Sequence, residues 1–308
     1  MARPLCLVGA PTSMGAHAPG QEKAPRALRD AGIAERLTEA GLEVIDGGDG
    51  PIRRWRPDKE NRFAQNLSAV VEAARETAQR VRRFADGGGV TLVLGGDCTV
   101  ELGTVAGHLS PGERVGLLYF DLHTDLNVPG SIREGALDWM GVAHLLGEDG
   151  ASKALSRLGP HSPLLDGDDV FFFSHGPEQM TGWEREVFER RGLKGVTADE
   201  VAADPEGAAA AALAEMEPRS DRLLVHFDVD TVDFTDLPLS EDTGRNRGLA
   251  FGSAMRALRV LLGSRRLGAL TVTELNPDHG DEDGSTVGLF AEALAATLAA
   301  SPALRAPG

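Results

Sequence analysis

The chain has 308 residues, 42% of them hydrophobic, enough to build the core of one large α/β unit. A formal net charge of −16 excludes the basic surface that a nucleic-acid partner requires; acidic helix faces and metal ligands account for such a charge, and it would draw in a cationic substrate. Two cysteines, Cys6 and Cys98, give no disulfide framework, and with no run of ~18 apolar residues to span a membrane and no signal-peptide core the expected compartment is the cytoplasm.

Short apolar runs alternate with amphipathic stretches along the chain. A strand is predicted over residues 5–9, then a helix over 24–40 with Pro25 near its start. A strand over 43–45 precedes a long helix over 63–84, where Leu67, Val70, Val71, Ala74, Ala78 and Val81 recur at helical spacing. Next come a strand over 91–94, a helix over 100–108, a strand over 115–120 and a helix over 139–146. A strand over 170–173, a helix over 184–191 and a strand over 195–197 follow. The series closes with a helix over 208–216, a strand over 223–227, a helix over 252–262, a strand over 270–275 and a helix over 287–298. The strand candidates are short, uninterrupted and apolar, as strands buried on both faces are. The alternation implies right-handed crossovers and a three-layer α/β/α sandwich with a mostly parallel sheet of about eight strands. The Pro/Gly-rich stretches 47–56 and 278–284 read as surface loops, so 1–308 is expected to form a single domain.

Four predicted strands end in residues that carry chemistry. One leads into Gly95-Gly96-Asp97-Cys98-Thr99, another into Asp121-Leu122-His123-Thr124-Asp125 followed by Leu126 and Asn127. A third leads into His226-Phe227-Asp228-Val229-Asp230-Thr231-Val232-Asp233, and the last ends on Glu274-Leu275-Asn276-Pro277. Residues two apart on a strand share a side, and the carboxyl edge of an open α/β sheet is where ligands bind. Carboxylates and an imidazole gathered there repel one another unless a cation sits among them. Singly, these residues read as a glycine turn, a solvated Asp-x-Asp, a core histidine and a surface glutamate. Together, all at one position relative to an apolar run, they point to a site for two divalent metals.

The four motifs resemble those of the ureohydrolase superfamily (arginase, agmatinase, formimidoylglutamase), whose signatures are Gly-Gly-Asp-His-Ser, Asp-Ala-His-x-Asp, Asp-x-Asp-x-x-Asp-Pro and Glu-Val/Ile-Asn-Pro. The opening Gly9-Ala10-Pro11 and Ala24-Pro25-x-x-Leu28-Arg29 match the same family. The resemblance implies a binuclear manganese site. One ion would be held by Asp121, His123, Asp228 and Asp230, the other by Asp121, Asp125, Asp228 and residue 98. It implies hydrolysis of a guanidino or amidine C–N bond in a small substrate, with urea or a substituted urea released. Two close dications lower the pKa of a water between them; Asp125 would take its proton, and Glu274 would pair with the guanidinium and aim its carbon. Asn127 matches the position that arginases use for the substrate α-carboxylate, and reads equally as a turn residue. Glu134 stands where arginases carry a substrate-contacting serine. A homo-oligomer, trimer or hexamer, is implied as well.

Two departures bear on the chemistry. Cys98 replaces a histidine ligand; as a thiolate it would turn preference from Mn²⁺ toward Zn²⁺, Fe²⁺ or Co²⁺, as a neutral thiol it would bind Mn²⁺ poorly, and as a nucleophile it would need an activating base. A similar cysteine occurs among hydroxyarginine amidinohydrolases, which brings in Nω-hydroxy-L-arginine as substrate and hydroxyurea as product. Asp138 stands where arginases and agmatinases have a proton-shuttling histidine. It would shuttle protons only if burial raised its pKa, or else bind a cationic part of the substrate or cap the helix that follows. Phe234 replaces a proline, and Arg245 and Arg247 either meet an anionic substrate group or lie on the surface. A diverged agmatinase- or formimidoylglutamase-type hydrolase, or a non-catalytic ligand-binding relative, are the alternatives.

Overall fold

The computed structural model describes residues 2–305. Its eight strands are β1 (Leu5–Gly9), β2 (Val44–Asp49), β3 (Val90–Leu94), β4 (Val115–Phe120), β5 (Val170–His175), β6 (Lys194–Thr197), β7 (Arg222–Asp228) and β8 (Leu267–Thr273). They form one sheet in the order β2-β1-β3-β8-β7-β4-β5-β6, with every neighbouring pair parallel. β3, β4 and β8 are buried from end to end, because helices cover both faces and every side chain there meets apolar neighbours. The edge strands β2 and β6 carry Asp46, Asp49 and Lys194 and are largely exposed, which blunts them against pairing with another chain.

The helices are α1 (Ala24–Asp30), α2 (Ile33–Glu39), α3 (Leu67–Ala85), α4 (Val100–His108), α5 (Gly141–Leu145), α6 (Gly182–Arg191), α7 (Ala198–Ala203), α8 (Pro205–Met216), α9 (Phe251–Leu261) and α10 (Ser285–Ala299). Strand parity divides them into two layers. Leu118, Phe120, Val225 and Phe227 face a cluster built with α1, α2 and α7 to α10. Leu117, Tyr119 and Leu224 face the other way, against α3 to α6. Phe120 packs edge-on against Phe173 and Phe227, with ring centroids 4.7 and 5.2 Å away. Full burial of such a ring contributes about 1.5–3 kcal/mol.

Several predicted elements are re-drawn. The helix expected over 24–40 is two, broken at Gly32, whose φ of 76° suits glycine and ends α1. The strand expected over 270–275 stops at Thr273, because Glu274 turns left-handed at φ 59°. Asp228 is the last residue of β7, paired with Thr273. α7 was not anticipated; Thr197 caps it, accepting from the Glu200 backbone while Glu200 bonds back, a capping box in a stretch too short to show periodicity. Among the described residues no helix is long and apolar enough to cross a membrane.

Candidate metal centre

β3, β8, β7 and β4 are the four contiguous central strands, and their carboxyl ends meet at one place. The β3 end is shaped by close approach. A Cβ on Gly96 would lie 1.7 Å from the Thr12 carbonyl oxygen, so only glycine fits. Buried Asp97 accepts from the backbone of Gly15 at 3.0 Å and of Thr99 at 3.0 Å, tying the amino-terminal loop to the start of α4. Cys98 is thereby delivered to the floor of the site.

The same device shapes the ends of β4 and β7. Asp121 Oδ1 accepts from the backbone of His123 at 2.6 Å, and Asp228 Oδ1 accepts from the backbone of Asp230 at 2.7 Å. Each is an Asx-turn that folds the next functional side chain back toward the first. Two donor groups result: Cys98, Asp121, His226 and Asp228 in one; Asp121, His123 and Asp230 in the other. Within each, all ligand atoms lie within 4.8 Å of one another, and Asp121 belongs to both. Cys98 Sγ lies 2.9 Å from Asp228 Oδ2, and His123 Nδ1 lies 2.9 Å from Asp230 Oδ2.

Buried Asp121 Oδ2 and Asp230 Oδ1 have no hydrogen-bond partner among the described residues. An unsatisfied buried acceptor costs roughly 1–3 kcal/mol, more when charged, and a divalent cation would satisfy both. The donor set therefore fits metal ions. Without one, charges crowd. Burial, then neighbouring carboxylates, push Asp125 and Asp228 well above the usual carboxylate range. Burial and Asp97 push Glu274 up to about 8. Burial, Asp228 and Glu274 raise the Cys98 thiol. Burial opposes charge on His123, but Asp230 outweighs it and raises the imidazole. A cation replaces such protons and reverses each preference.

Above the donors opens a cavity of about 480 Å³. Glu274 and Asp125 line it, and both have left-handed backbones, φ 59° and 48°, strain of the sort that gathers at working sites. Glu274 Oε1 accepts from the Cys98 backbone at 2.8 Å and Oε2 from Gln21 Nε2 at 3.1 Å. The Tyr119 hydroxyl donates to Asp125 Oδ2, and Asp125 belongs to neither donor group. Asp138 is buried and lines the cavity; burial, Glu274 and Asp97 push its carboxyl well up. It caps no helix: the 3₁₀ turn Asp138–Met140 has Leu137 at its N-cap. Asn127 lines the cavity too, its Oδ1 accepting from the Ser131 hydroxyl at 3.1 Å and the Thr181 hydroxyl at 3.0 Å.

Glu134 does not join the site. It is exposed and lies outside the cavity, its backbone carbonyl held by Gln65 Nε2 at 2.6 Å. Arg245 lies over the Phe234 ring at 5.7 Å, and Arg247 reaches Gln179 at 3.4 Å; neither lines the cavity. No lysine or arginine does among the described residues, which leaves the wall suited to a cation. Sequence reasoning passed over Glu101 and Tyr119, and placed His226 at the head of the third segment without giving it a role. The spacing His226-x-Asp228-x-Asp230 held the signal for one, since it repeats the parity of the acidic pair.

A parallel α/β/α sheet with a buried centre of carboxylates, imidazoles and one thiol at its carboxyl edge defines a metal-binding hydrolase class of α/β protein. The model of the Arginase family matches residues 3–300. The chain belongs to the arginase family and is a ureohydrolase-type enzyme. It is 29% identical to the arginase of Bacillus caldovelox over 281 residues, covering 89% of this chain and 91% of that protein. Its fold superposes on the arginase of Bacillus subtilis with a TM-score of 0.84 at 24% identity, covering 96% and 98% of the two chains. The formimidoylglutamase of Bacillus subtilis gives 0.73 at 16% identity, covering 97% and 88%.

Proposed function

We propose that the chain hydrolyses a guanidino C–N bond in a small arginine-like or modified-guanidine substrate, releasing urea or a substituted urea such as hydroxyurea. The observation that carries this reading is the pair of donor groups sharing Asp121 beneath a cavity walled by Glu274 and Asp138. Two divalent ions would be held there, one by Cys98, Asp121 and Asp228 and the other by Asp121, His123 and Asp230. When bound, they neutralise the carboxylates and supply a water activated near neutral pH.

The chain's own residues do the rest. Glu274 pairs with the guanidinium and fixes the orientation of its carbon; its tie to the Cys98 backbone keeps that carboxylate in place. Asp125, held by the Tyr119 hydroxyl, accepts the proton released as water adds. Asp138, whose carboxyl is pushed well up by burial and the neighbouring Glu274, would give a proton to the departing amine. Asn127 has its Oδ1 occupied by two hydroxyls, which turns its Nδ2 donors to a substrate carboxylate.

Purified protein loaded with Mn²⁺, Fe²⁺, Co²⁺ or Zn²⁺ is to be screened against arginine, Nω-hydroxyarginine, agmatine, guanidinobutyrate and formimidoylglutamate. Turnover of a guanidino compound supports the reading, and silence with every pairing rejects it. Cys98 and Asp138 at two positions where relatives carry histidine favour one second reading, a non-catalytic ligand-binding relative. Less than one ion per chain after reconstitution would point to that.

A further inference from the structure

We propose that His226, reaching in from β7, is the imidazole ligand of the first metal ion in place of the histidine that position 98 lacks, so that Cys98, Asp121, His226 and Asp228 form one four-coordinate site. The inference rests on the metal reading above and changes its ligand set.

The geometry of His226 is that of a ligand. It shares the face of β7 with Asp228, two residues on, and is fully buried. Its Nε2 hydrogen-bonds Thr273 Oγ1 at 3.2 Å, a partner that an ion would replace, and lies 3.6 Å from Cys98 Sγ and 3.7 Å from Asp121 Oδ2. Around a tetrahedral ion with metal–sulfur bonds of ~2.3 Å and metal–nitrogen or metal–oxygen bonds of ~2.0–2.1 Å, donor atoms stand roughly 3.3–3.6 Å apart. Both separations are within a few tenths of an ångström of that edge, and the Cys98 Sγ–Asp228 Oδ2 edge, at 2.9 Å, would open to reach it.

The other ring nitrogen supplies the second mark. His226 Nδ1 lies 3.4 Å from Oε2 of Glu101, itself buried, with Oε1 lacking any partner among the described residues. A carboxylate behind the far nitrogen is the usual support of a metal-bound imidazole, fixing its tautomer and its aim. The ring is also clamped in plane, stacked on Tyr119 with centroids 4.2 Å apart and planes 7° from parallel.

The carboxylate that His226 displaces is accounted for. The resemblance assigned the first ion to Asp121, Asp125, Asp228 and residue 98. Here Asp125 is engaged by the Tyr119 hydroxyl and His226 takes the fourth place. A donor set of one sulfur, one nitrogen and two oxygens favours Zn²⁺, Co²⁺ or Fe²⁺ over Mn²⁺. The His123 group, all nitrogen and oxygen, keeps its preference for harder ions. The two sites therefore differ in metal preference.

The test is metal stoichiometry and the Co²⁺ spectrum of the full chain. Wild-type protein should bind two ions and show a thiolate-to-cobalt charge-transfer band with the intense visible bands of four-coordinate Co²⁺. His226→Gln should fall to one ion and lose those bands. Glu101→Gln, milder toward folding, should keep both ions but bind the first roughly 10–100-fold more weakly. Restoring an imidazole at the other position, as Cys98→His with His226→Gln, should recover the second ion. Two ions and an unchanged spectrum in His226→Gln would overturn the assignment while leaving the metal reading intact. So would a covalent Cys98–guanidino adduct trapped in wild-type protein and absent from a His226→Gln protein that still holds two ions, which would make Cys98, His226 and Glu101 a nucleophile relay. Wild-type protein that takes up no ion sinks the assignment and the metal reading together.

Discussion

Glu274 Oε1 accepts the backbone N–H of Cys98 at 2.8 Å, joining the end of β8 to the start of α4 across the cavity floor. The bond fixes a carboxylate on a residue whose left-handed backbone already aims it inward. Glu274→Gln keeps the shape and an acceptor for that N–H but loses the charge that pairs with a guanidinium. The expected outcome is a fall in kcat/KM on the order of 10²-fold, as for a misplaced substrate, with metal content and melting temperature unchanged. Steady-state kinetics beside elemental analysis decides it, and an unaltered kcat/KM rules out the orienting role.

Tyr119 is buried and its hydroxyl bonds to buried Asp125. Tyr119→Phe leaves one carboxylate oxygen without its donor. Stripping a buried acceptor of its partner costs roughly 1–3 kcal/mol, so urea unfolding of the metal-free protein should show a lower midpoint at unchanged slope. Equal midpoints for the two proteins would mean that another donor reaches Asp125.

A third prediction concerns acid stability, away from the metal centre. Arg222 donates to His108 Nδ1 at 3.2 Å, and His108 Nε2 lies 3.0 Å from Thr91 Oγ1. Burial, then Arg222, push the His108 pKa down to about 3, against about 6.5 in an unfolded chain. Between those values the unfolded chain binds the extra proton, so stability rises with pH there. The contribution is complete above pH ~6.5 and is lost as pH falls toward about 3, on the order of 4 kcal/mol in all. His108→Gln can take both hydrogen bonds without titrating. Its unfolding free energy should fall less steeply over that window, and parallel curves would contradict the assignment.

Metal removal should lower stability and do so more at neutral than at acid pH. An ion at 100 times its dissociation constant stabilises a fold by about 2.7 kcal/mol. Its carboxylate and imidazole ligands must first shed protons, and with no ion present burial and Asp230 push the Asp228 carboxyl well up. The gain in melting temperature on loading should therefore shrink as pH falls from 8 toward 5, as roughly the range in which such ligands titrate. Calorimetry with and without chelator measures it; a pH-independent gain excludes these residues as ligands.

The strand ends were the legible part of the sequence, because parity and position alone bring Asp121, Asp228 and Glu274 to one sheet edge. The turns at Asp125 and Glu274 were not legible. Left-handed backbone at a non-glycine residue is imposed by the surrounding contacts and leaves no mark in local composition. His226 stood in the third segment without a role, because only the pairing of β7 with β4 and β8 shows what an imidazole inside that apolar run faces. Glu101 was hidden, as one acid in a helix whose every residue is buried. Glu134 shows the opposite limit, since a matching sequence position did not carry it into the cavity.

The position of β8 has a consequence for the order in which the molecule is made. It follows the other seven described strands along the chain, yet it lies between β3 and β7, the strands that lead to Cys98 and Asp228. Until it is threaded in, the thiol and that carboxylate have no common wall, and a nascent chain carries its acids without a cage. Ion capture then waits on β8, and a chain broken off before Leu267 would carry the donors but no means of gathering them.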